Sequence, residues 1–376
     1  MKLIIDKDHF LSRLDKLIKF IPENPVIPIH SMFLFNVEKE LLTVYSYDGE
    51  IQASINISVE CKESGGICIP GKLLYATFKL LREPMVSMVI SGTKITITCG
   101  NGKYNISGTP ASDFFIMPDI ANPPYQLSIT GKMFTETLSM AGLLVNKNNV
   151  HTPLTGICIK LDKLRLSITA GCNFYMSRIL ARPRSITNWE EVIIPVTAVK
   201  KLCKMIDDGD IVEVMHNYSK LIVQTEHAKV ILSPIDAKYP ATDKFFDNKI
   251  GEDVIINNFE MQDLLKRVKL YSSENNSYAI NIEIKDRNIL VSAIDEYANN
   301  TGEETATIKQ DKPVTSPISV GLNCENFIDV LENINEQEFI FTYPGVDNRP
   351  VFLEPYLGGA DTDVASQFII MPMKVL

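Results

Sequence analysis

Apolar residues along the chain follow helical spacing in some stretches and strand-like runs in others. Phe10, Leu14, Leu17 and Ile21 recur every three or four residues, which predicts an amphipathic helix from Lys7 to Pro22. Strand-like runs come next, at residues 31–37, 41–47 and 51–59. This first stretch therefore predicts one helix followed by three strands.

A second amphipathic helix follows Ile69-Pro70-Gly71. Its predicted inner face consists of Leu73, Leu74, Thr77, Leu80 and Leu81. Three further strands are predicted at residues 86–90, 94–99 and 103–107. The Pro-containing segment Ala121–Pro124 then indicates a linker.

The same order of elements returns twice after this linker. Ile69-Pro70 has a counterpart in Ile194-Pro195, 125 residues later, and a third in Ile318-Ser319-Val320-Gly321. Residues 112–118 resemble residues 366–372 in the same way. The chain is therefore predicted to be an α+β protein of three similar modules, at residues 1–122, 125–248 and 252–376.

Basic residues lie on the predicted solvent face of four of the six helices. They are Arg13, Lys16, Lys19, Lys72, Lys79, Arg82, Lys200, Lys201, Lys204, Lys266, Arg267 and Lys269. In the third module, Met261, Leu264, Leu265, Val268 and Tyr271 form the predicted inner face. A basic stripe is usually a solvated face, but four at equivalent places in a chain of net charge −9 favour a surface for phosphate contacts. The predicted helix from Glu325 to Ile334 is instead acidic, with Glu325, Asp329 and Glu332.

The last nine residues, 368–376, form an apolar strand-like run in which Met371 and Met373 flank Pro372. Because proline lacks a backbone N–H, this run suits a sheet edge or the wall of a groove. Thioether side chains adapt to varied apolar partners. On spacing alone, the run instead favours a last strand that completes a core, because strand runs of this kind are usually core.

Composition narrows the classes of function. The chain is 45% hydrophobic and 22% charged, and its apolar runs are far shorter than the roughly 18 residues that span a bilayer. The first residues do not resemble a signal peptide, so a cytoplasmic protein without a membrane span is expected. Seven cysteines without a C-x-x-C pair indicate free thiols and no zinc site.

Catalytic motifs give little support to an enzyme, and no cofactor is expected. The five histidines lack ligand spacing, and neither G-x-S-x-G nor a P-loop occurs. The acidic run Asp207–Asp210 fits a turn better than a metal loop. Cys172, with His151 upstream, fits a structural thiol better than a nucleophile.

Several motifs together resemble the bacterial β sliding clamps, the processivity factors of DNA polymerase III. They are Met1-Lys2, Pro25-Val26-Ile27-Pro28-Ile29, Ile69-Pro70, Ile194-Pro195, Tyr239-Pro240 and Ile370-Met371-Pro372-Met373. The resemblance implies a DNA clamp fold of three topologically similar domains per chain. It also implies a head-to-tail homodimer, a six-domain ring with helices inside and sheets outside.

The same resemblance implies a function and a set of partners. Such a ring encircles double-stranded DNA without sequence specificity and has no catalytic role. Its other partners would be the DNA polymerase III alpha subunit, the clamp loader and repair proteins, which bind through short linear motifs. The alternatives are a clamp paralogue or a non-DNA interaction scaffold of the same fold.

Site residues follow from the resemblance position by position. The twelve basic residues above would face DNA. Tyr104, Ile106, Leu270 and Tyr271 would form the dimer interface. The pocket for partner peptides would consist of Leu154, Thr169, Gly171, Cys172, Asn173, Phe174, Pro240, Lys244, Phe245, Asn323, Ile369, Met371, Pro372, Met373, Lys374 and Val375.

The sequence also departs from the family pattern. The second-module motif T-D-G-H-R-L reads Thr169-Ala170-Gly171-Cys172-Asn173-Phe174, so its arginine is replaced by Asn173. We therefore expect a shallower pocket that prefers motifs with fewer acidic residues. A basic DNA contact is replaced by Asn24, and tyrosines that touch single-stranded template are replaced by Thr152 and Pro153.

Overall fold

The structure is a computed structural model that describes residues 1–61, 63–295, 297–310, 312–345, 349–359 and 362–374. The first third contains β1 Lys2–Asp6, α1 Lys7–Leu17, β2 Met32–Glu38, β3 Leu41–Tyr47, β4 Gln52–Ser58, β5 Glu60–Cys61, β6 Gly65–Pro70, α2 Gly71–Leu80, β7 Met85–Ser91, β8 Lys94–Cys99, β9 Gly102–Ser107 and β10 Thr109–Pro110.

The middle third contains β11 Tyr125–Thr130, α3 Gly131–Leu143, β12 Gly156–Asp162, β13 Arg165–Gly171, β14 Tyr175–Ala181, β15 Ser185–Asn188, β16 Val192–Pro195, α4 Val196–Met205, β17 Ile211–Asn217, β18 Lys220–Gln224, β19 Ala228–Leu232 and α5 Asp243–Phe246. The last third contains β20 Glu252–Asn257, α6 Asn258–Val268, β21 Ala279–Lys285, β22 Asn288–Asp295, β23 Asn300–Thr307, β24 Ile318–Asn323, α7 Cys324–Leu331, β25 Glu338–Tyr343, β26 Val351–Pro355 and β27 Val364–Ile370.

Each third repeats one local device, a strand that runs directly into a helix, and uses it twice. At three of these junctions a side chain caps the helix: Asp6 accepts from the His9 N–H at 2.8 Å, and Asn257 and Asn323 accept from Glu260 and Asn326 at 2.9 Å. Such caps satisfy N–H groups that have no partner within the helix. The repeated order of elements confirms the α+β prediction.

The strands are divided between two compact units. Unit 1 comprises Met1–Thr135, Pro183–Val192 and Thr197–Asp236; unit 2 comprises Glu136–Arg182, Ile193–Val196 and Ala237–Leu376. Unit 1 holds the sheets β5-β1-β7-β8-β9 and β10-β6-β2-β3-β4-β19-β18-β17-β11-β15. Unit 2 holds the sheets β16-β12-β13-β14-β27-β26-β25-β20 and β23-β22-β21-β24.

This division follows the sheets, whereas the predicted modules follow the repeat. The middle third places β11, β15 and β17–β19 in unit 1 and β12–β14 in unit 2. The first set shares a sheet with strands of the first third, and the second set shares a sheet with strands of the last third. The predicted module boundaries remain a prediction.

Two predicted helix faces need correction. In α2 the buried residues are Gly71, Leu74 and Phe78, whereas Leu73 is exposed and Leu80 is 81% exposed. Phe78 lies four residues after Leu74, which returns Phe78 to the same helix face. Leu80 lies six residues after Leu74 and therefore points away from that face. Tyr271, predicted to point inward, is also exposed, because it lies in a 3₁₀ turn beyond α6.

The carboxyl-terminal strand is not at an edge. β27 pairs with β14 on one side and β26 on the other, and Phe368, Ile369 and Ile370 are buried. These residues therefore complete a core, as their spacing alone favoured, and the sheet edge suggested by Pro372 is not found here. Pro372 lies two residues beyond the strand, so its missing N–H costs no hydrogen bond in the sheet.

None of the seven cysteines, all of which the structure describes, is in a disulfide, as the sequence predicted, and Cys68, Cys99, Cys158 and Cys324 are buried. Burial raises the pKa of the Cys68 thiol to about 11 and that of Cys324 to about 12, so both remain protonated and unreactive near neutral pH. Among the helices of the described residues, none has both the length and the apolar character needed to cross a membrane.

Candidate functional site

The predicted pocket residues of unit 2 meet where β14 and β27 pair. Cys172 N donates to Tyr175 O at 2.8 Å, closing the turn between β13 and β14. Met371 N donates to Phe174 O at 2.8 Å, and Met373 N donates to Gly321 O at 2.9 Å. The segment after β27 therefore runs from this turn to β24. The two predicted walls are direct neighbours.

We call the accessible part of this site the terminal groove. Phe174 is 65% exposed, and the other exposed members are Asn173, Pro240, Lys244, Phe245 and Lys374. Cys172, Met371, Pro372 and Met373 are half-buried. Leu154, Thr169, Gly171 and Ile369 are buried, so they support the groove from below. Val375 lies outside the described residues.

Three of the predicted residues have a local structural role. Asn323 caps α7 through its oxygen and donates through its amide nitrogen to Ser277 O at 2.6 Å. A Cβ on Gly171, which has φ +148°, would lie 2.4 Å from Tyr175 O, so the turn requires glycine. Burial, and after it Cys172 and Asp329, raise the pKa of Tyr175 to about 12. The phenol and the Cys172 thiol are hydrogen-bonded, which fits a structural thiol.

Helix α5 carries Lys244 and Phe245 of the predicted pocket and is held at both ends by ion pairs. Lys160 pairs with Asp243 at its first residue, and Arg178 Nη1 pairs with Asp247 at 2.6 Å just after its last. Between them Lys244 lies over the Phe245 ring, with its Nζ 5.1 Å from the ring centroid. These contacts fix the exposed side chains of Lys244 and Phe245.

Arg178 belongs to a larger network that sequence reasoning missed. Its Nε and Nη2 donate to Gln367 Oε1 at 2.9 and 2.7 Å, and Gln367 donates to Glu354 at 2.7 Å. Glu354 in turn pairs with Lys249 at 2.8 Å. The guanidinium also lies 4.9 Å from the Phe246 ring. An arginine inside the mostly apolar β14 was the available signal.

The predicted DNA-facing residues of unit 1 fall into two groups. Within the described part of the chain, seven have no carboxylate within 4.0 Å: Arg13, Lys19, Lys72, Lys79, Arg82, Lys200 and Lys204. Lys16 pairs with Asp207 at 2.5 Å, and Lys201 pairs with the mostly buried Asp48. Lys72 donates to Glu23 O at 2.9 Å. Lys201 therefore joins α4 to the β3–β4 turn, and we leave it out of the proposed DNA surface.

In unit 2 the basic face of α6 is compensated by acids. Lys266 pairs with Glu332 at 3.1 Å, Arg267 with Glu304 at 2.5 Å, and Lys269 with Glu325 at 2.7 Å. Two of these acids belong to α7 or its C-cap, the helix that the sequence already marked as acidic. This face is close to neutral, which corrects the expectation of a positive surface here.

The predicted interface residues lie on or beside strands at sheet edges. β9 ends the five-stranded sheet and β23 ends the four-stranded sheet. Tyr104 is exposed on β9, and Leu270 is 80% exposed beside Tyr271. Tyr271 lies against Gly302 of β23, where a Cβ would approach its ring to 2.5 Å. Ile106 is buried in its own core, so it offers no side chain to a partner.

Comparison with known proteins identifies the family. The DNA polymerase III beta subunit models match for the N-terminal domain at residues 1–118, the central domain at 128–241 and the C-terminal domain at 246–374. The chain belongs to this family. The family supports the predicted clamp fold of three similar domains.

Individual relatives match along their full length at low identity. A beta sliding clamp homolog, GriR, of Streptomyces muensis is 19% identical over 379 residues, covering 100% of this chain and 99% of that protein. A beta sliding clamp of Staphylococcus epidermidis is 21% identical over 389 residues, covering 100% and 99%.

Solved structures of the family have the same fold. The beta subunit of Pseudomonas aeruginosa superposes with a TM-score of 0.90 at 17% identity, and that of Streptococcus pyogenes with 0.90 at 18%. Both comparisons cover 100% of each chain. A Pseudomonas aeruginosa clamp bound to griselimycin matches with a TM-score of 0.89 at 18% identity, again over 100% of each chain.

Proposed function

We propose that this protein is a DNA polymerase sliding clamp, a non-catalytic cytoplasmic subunit that closes into a ring around duplex DNA and tethers polymerases to it. The observation that carries the proposal is the pair of sheet-edge strands, β9 and β23, each with an exposed apolar side chain on or beside it. In a family of clamps, such edges are the natural place for two copies to join.

The ring would form by head-to-tail contact between the first and third modules. A heterologous contact closes only when its rotation returns to the start, and two chains of three modules would do so with six. Tyr104 on one copy and Leu270 and Tyr271 on the other would supply the apolar centre. Burying the exposed Leu270 side chain would contribute roughly 1.5–3 kcal/mol.

DNA would be held by enclosure more than by affinity. Arg13, Lys19, Lys79, Arg82, Lys200 and Lys204 are free to contact phosphates, and such contacts carry no sequence information and weaken with salt. Weak, uniform contacts let a ring slide along a duplex without letting go of it.

The terminal groove would receive short linear motifs from the polymerase alpha subunit, the clamp loader and repair proteins. It combines the exposed Phe174 and Phe245 with the adaptable Met371 and Met373, a lining that can re-pack around different partners. One site per chain would make these partners compete. Phe174 and Asn173 would make the groove shallower than the usual family site.

Retention on circular DNA tests the proposal. Protein loaded by a clamp loader onto a nicked circle should stay bound through gel filtration, and linearising the circle should release it. Leu270→Asp should sediment as a 42.2 kDa monomer, and it should be retained neither on the nicked circle nor on the linear DNA. Leu164→Asp, at an exposed turn outside the proposed interface, should behave as the wild type. Equal loss from circular and linear DNA would favour the non-DNA scaffold instead.

A further inference from the structure

The strand junction beneath the terminal groove has an equivalent in unit 1. β14 pairs with β27 so that Met176 lies opposite Ile369, and β4 pairs with β19 so that Gln52 lies opposite Ile231. Both junctions follow a turn of the same size, closed in unit 1 by Asp48 N donating to Ile51 O at 3.2 Å. In both, a proline lies two residues after the second strand, Pro372 in one and Pro234 in the other.

Aromatic and apolar side chains cover the equivalent position in unit 1. The His30 and Tyr47 ring centroids are 5.1 Å apart, and those of Tyr47 and Phe115 are 5.9 Å apart. Phe115 is 58% exposed and Ile116 is 45% exposed. We call these four residues, His30, Tyr47, Phe115 and Ile116, the aromatic surface.

A buried glutamine holds this surface in place. Gln52 donates through Nε2 to Phe115 O at 2.9 Å and accepts from Met117 N at 2.9 Å. Asp119, two residues after Met117, forms an ion pair with Lys229 at 2.8 Å. Because the backbone around Phe115 is fixed in this way, its exposed ring is a built feature of the fold. Exposed apolar patches of this kind commonly mark interaction sites.

The aromatic surface also has a concave neighbour. A cavity of about 180 Å³ lies beside it, with a lining that includes Tyr45, Gln52, Ile116, Met117, Asp119 and Lys229. Its volume is enough for one or two apolar side chains, and it is too small for a drug-sized ligand. The geometry therefore fits an extended segment that inserts one anchor.

Several carboxylates lie around the aromatic surface, and among them Glu50 has no basic partner within 4.0 Å in the described residues. The pKa of Tyr47 is raised mainly by burial and less by the charges of Asp48 and Glu50. The pKa of Tyr45 is also raised mainly by burial, and less by the charges of Asp119 and Glu38. Asp48 is compensated by Lys201 and Asp119 by Lys229, while Glu50 is exposed at the rim. The terminal groove has the opposite character, because its exposed charges are Lys244 and Lys374.

We propose that the aromatic surface is a second docking site, which binds linear protein segments that carry an arginine or lysine next to an apolar residue. The apolar residue would enter the cavity beside Ile116. The cation would lie over Tyr47 or Phe115, near Glu50, where ring faces and a carboxylate both attract it. DNA is disfavoured by the same carboxylate. This site goes beyond the proposed function and is independent of the terminal groove.

A display library of random 12-residue peptides, selected on the wild type and on Phe115→Ser, tests the proposal. Peptides enriched only on the wild type should carry arginine or lysine beside an apolar residue. By fluorescence anisotropy, the best of them should bind at least tenfold more weakly to Phe115→Ser and to Glu50→Arg. Lys244→Glu, in the terminal groove, should leave its affinity unchanged.

Glu50→Arg keeps the test decisive even if Phe115→Ser folds poorly, because Glu50 is exposed at a turn. Binding of a polymerase-derived motif to the terminal groove, together with retention on circles, reports separately on the proposed function. Enrichment independent of Phe115, or enrichment of acidic peptides, would overturn the second site.

Discussion

A single histidine in unit 1 sits in surroundings that oppose its protonation. The His216 ring stacks on Tyr125 at 4.7 Å, meets the Trp189 ring edge to face at 4.6 Å and donates through Nε2 to Glu190 O at 3.1 Å. Burial lowers its pKa below the ordinary 6.5, against smaller opposing effects of its hydrogen bonds and of the Glu190 charge. The Tyr125 and Tyr218 hydroxyls both donate to the Glu190 carboxylate, which lowers the pKa of that acid.

We therefore expect His216 to make the fold sensitive to mild acid. Below about pH 6.5 the unfolded chain binds a proton that the folded chain resists, so the free energy of unfolding falls. The contribution is complete above pH 6.5 and is lost as the pH falls toward the lowered folded-state pKa. Thermal unfolding at pH 7.5 and 5.5 should show this as a drop in Tm.

His216→Gln is the matched variant, because it keeps a hydrogen-bond donor and has no proton to gain. Its Tm should be lower at pH 7.5, where the stacking is lost, but should fall less between pH 7.5 and 5.5 than that of the wild type. Equal falls would assign the acid sensitivity to carboxylates elsewhere in the chain.

At the scale of elements, α5 depends on its surroundings. A helix of four residues cannot be stable by itself, so the ion pairs of Asp243 and Asp247 must fix it. Arg178→Met should remove about 1.5–3 kcal/mol of stability, because it deletes charge-assisted hydrogen bonds to Asp247 and Gln367. It should also weaken binding of a polymerase-derived peptide roughly tenfold, or about 1.4 kcal/mol, through displaced Lys244 and Phe245.

Arg182→Met is the control for Arg178→Met. Arg182 follows the same strand, and among the described residues its side chain forms one exposed ion pair, with Asp363 at 3.4 Å, so its removal should change Tm and peptide affinity little. Arg178→Lys should restore part of the stability and less of the peptide affinity, since lysine cannot reach both partners. Unchanged peptide binding in Arg178→Met would show that α5 holds its position without the network.

The positions of strands and helices along the chain were predictable from the sequence. Which strands pair with one another, and which side chains meet, was not. The runs at 41–47 and 94–99 coincide with β3 and β8, because alternation and turn residues are local signals. The position of β27 between β14 and β26 depends on pairing with residues far away in the sequence. For the same reason, the partners of Arg178 and the burial of Ile369 could not be derived from local sequence.

At the scale of the whole molecule, a net charge of −9 coexists with uncompensated basic side chains. Lys204 has no carboxylate within 4.0 Å among the described residues, whereas Lys266 is paired with Glu332. Lys204→Ala should reduce the slope of log K against log salt for a 30-base-pair duplex by about 0.9. Lys266→Ala, the matched control, should leave the slope nearly unchanged.

The measurement is anisotropy of labelled duplex at several salt concentrations. Equal changes in the two variants would mean that ion pairs within the chain do not decide which lysines reach phosphate. The repeat of strand and helix predicted basic residues at equivalent places, but it could not predict which of them had acids nearby. Glu304 and Glu332 reach α6 only through the folded arrangement of unit 2.

The pairing of β4 with β19 also determines what proteolytic cleavage of the chain would expose. The two strands come from opposite sides of the segment Ala121–Pro124, and Ala53 and Ile55 of β4 face Val230 and Ala228 of β19 in the ladder. A protease cut in that segment, once the pieces part, would leave β4 with bare N–H and C=O groups along an apolar strand. Such an edge pairs readily with any other strand of like kind. A single nick would thus turn a well-folded protein into a seed for aggregation.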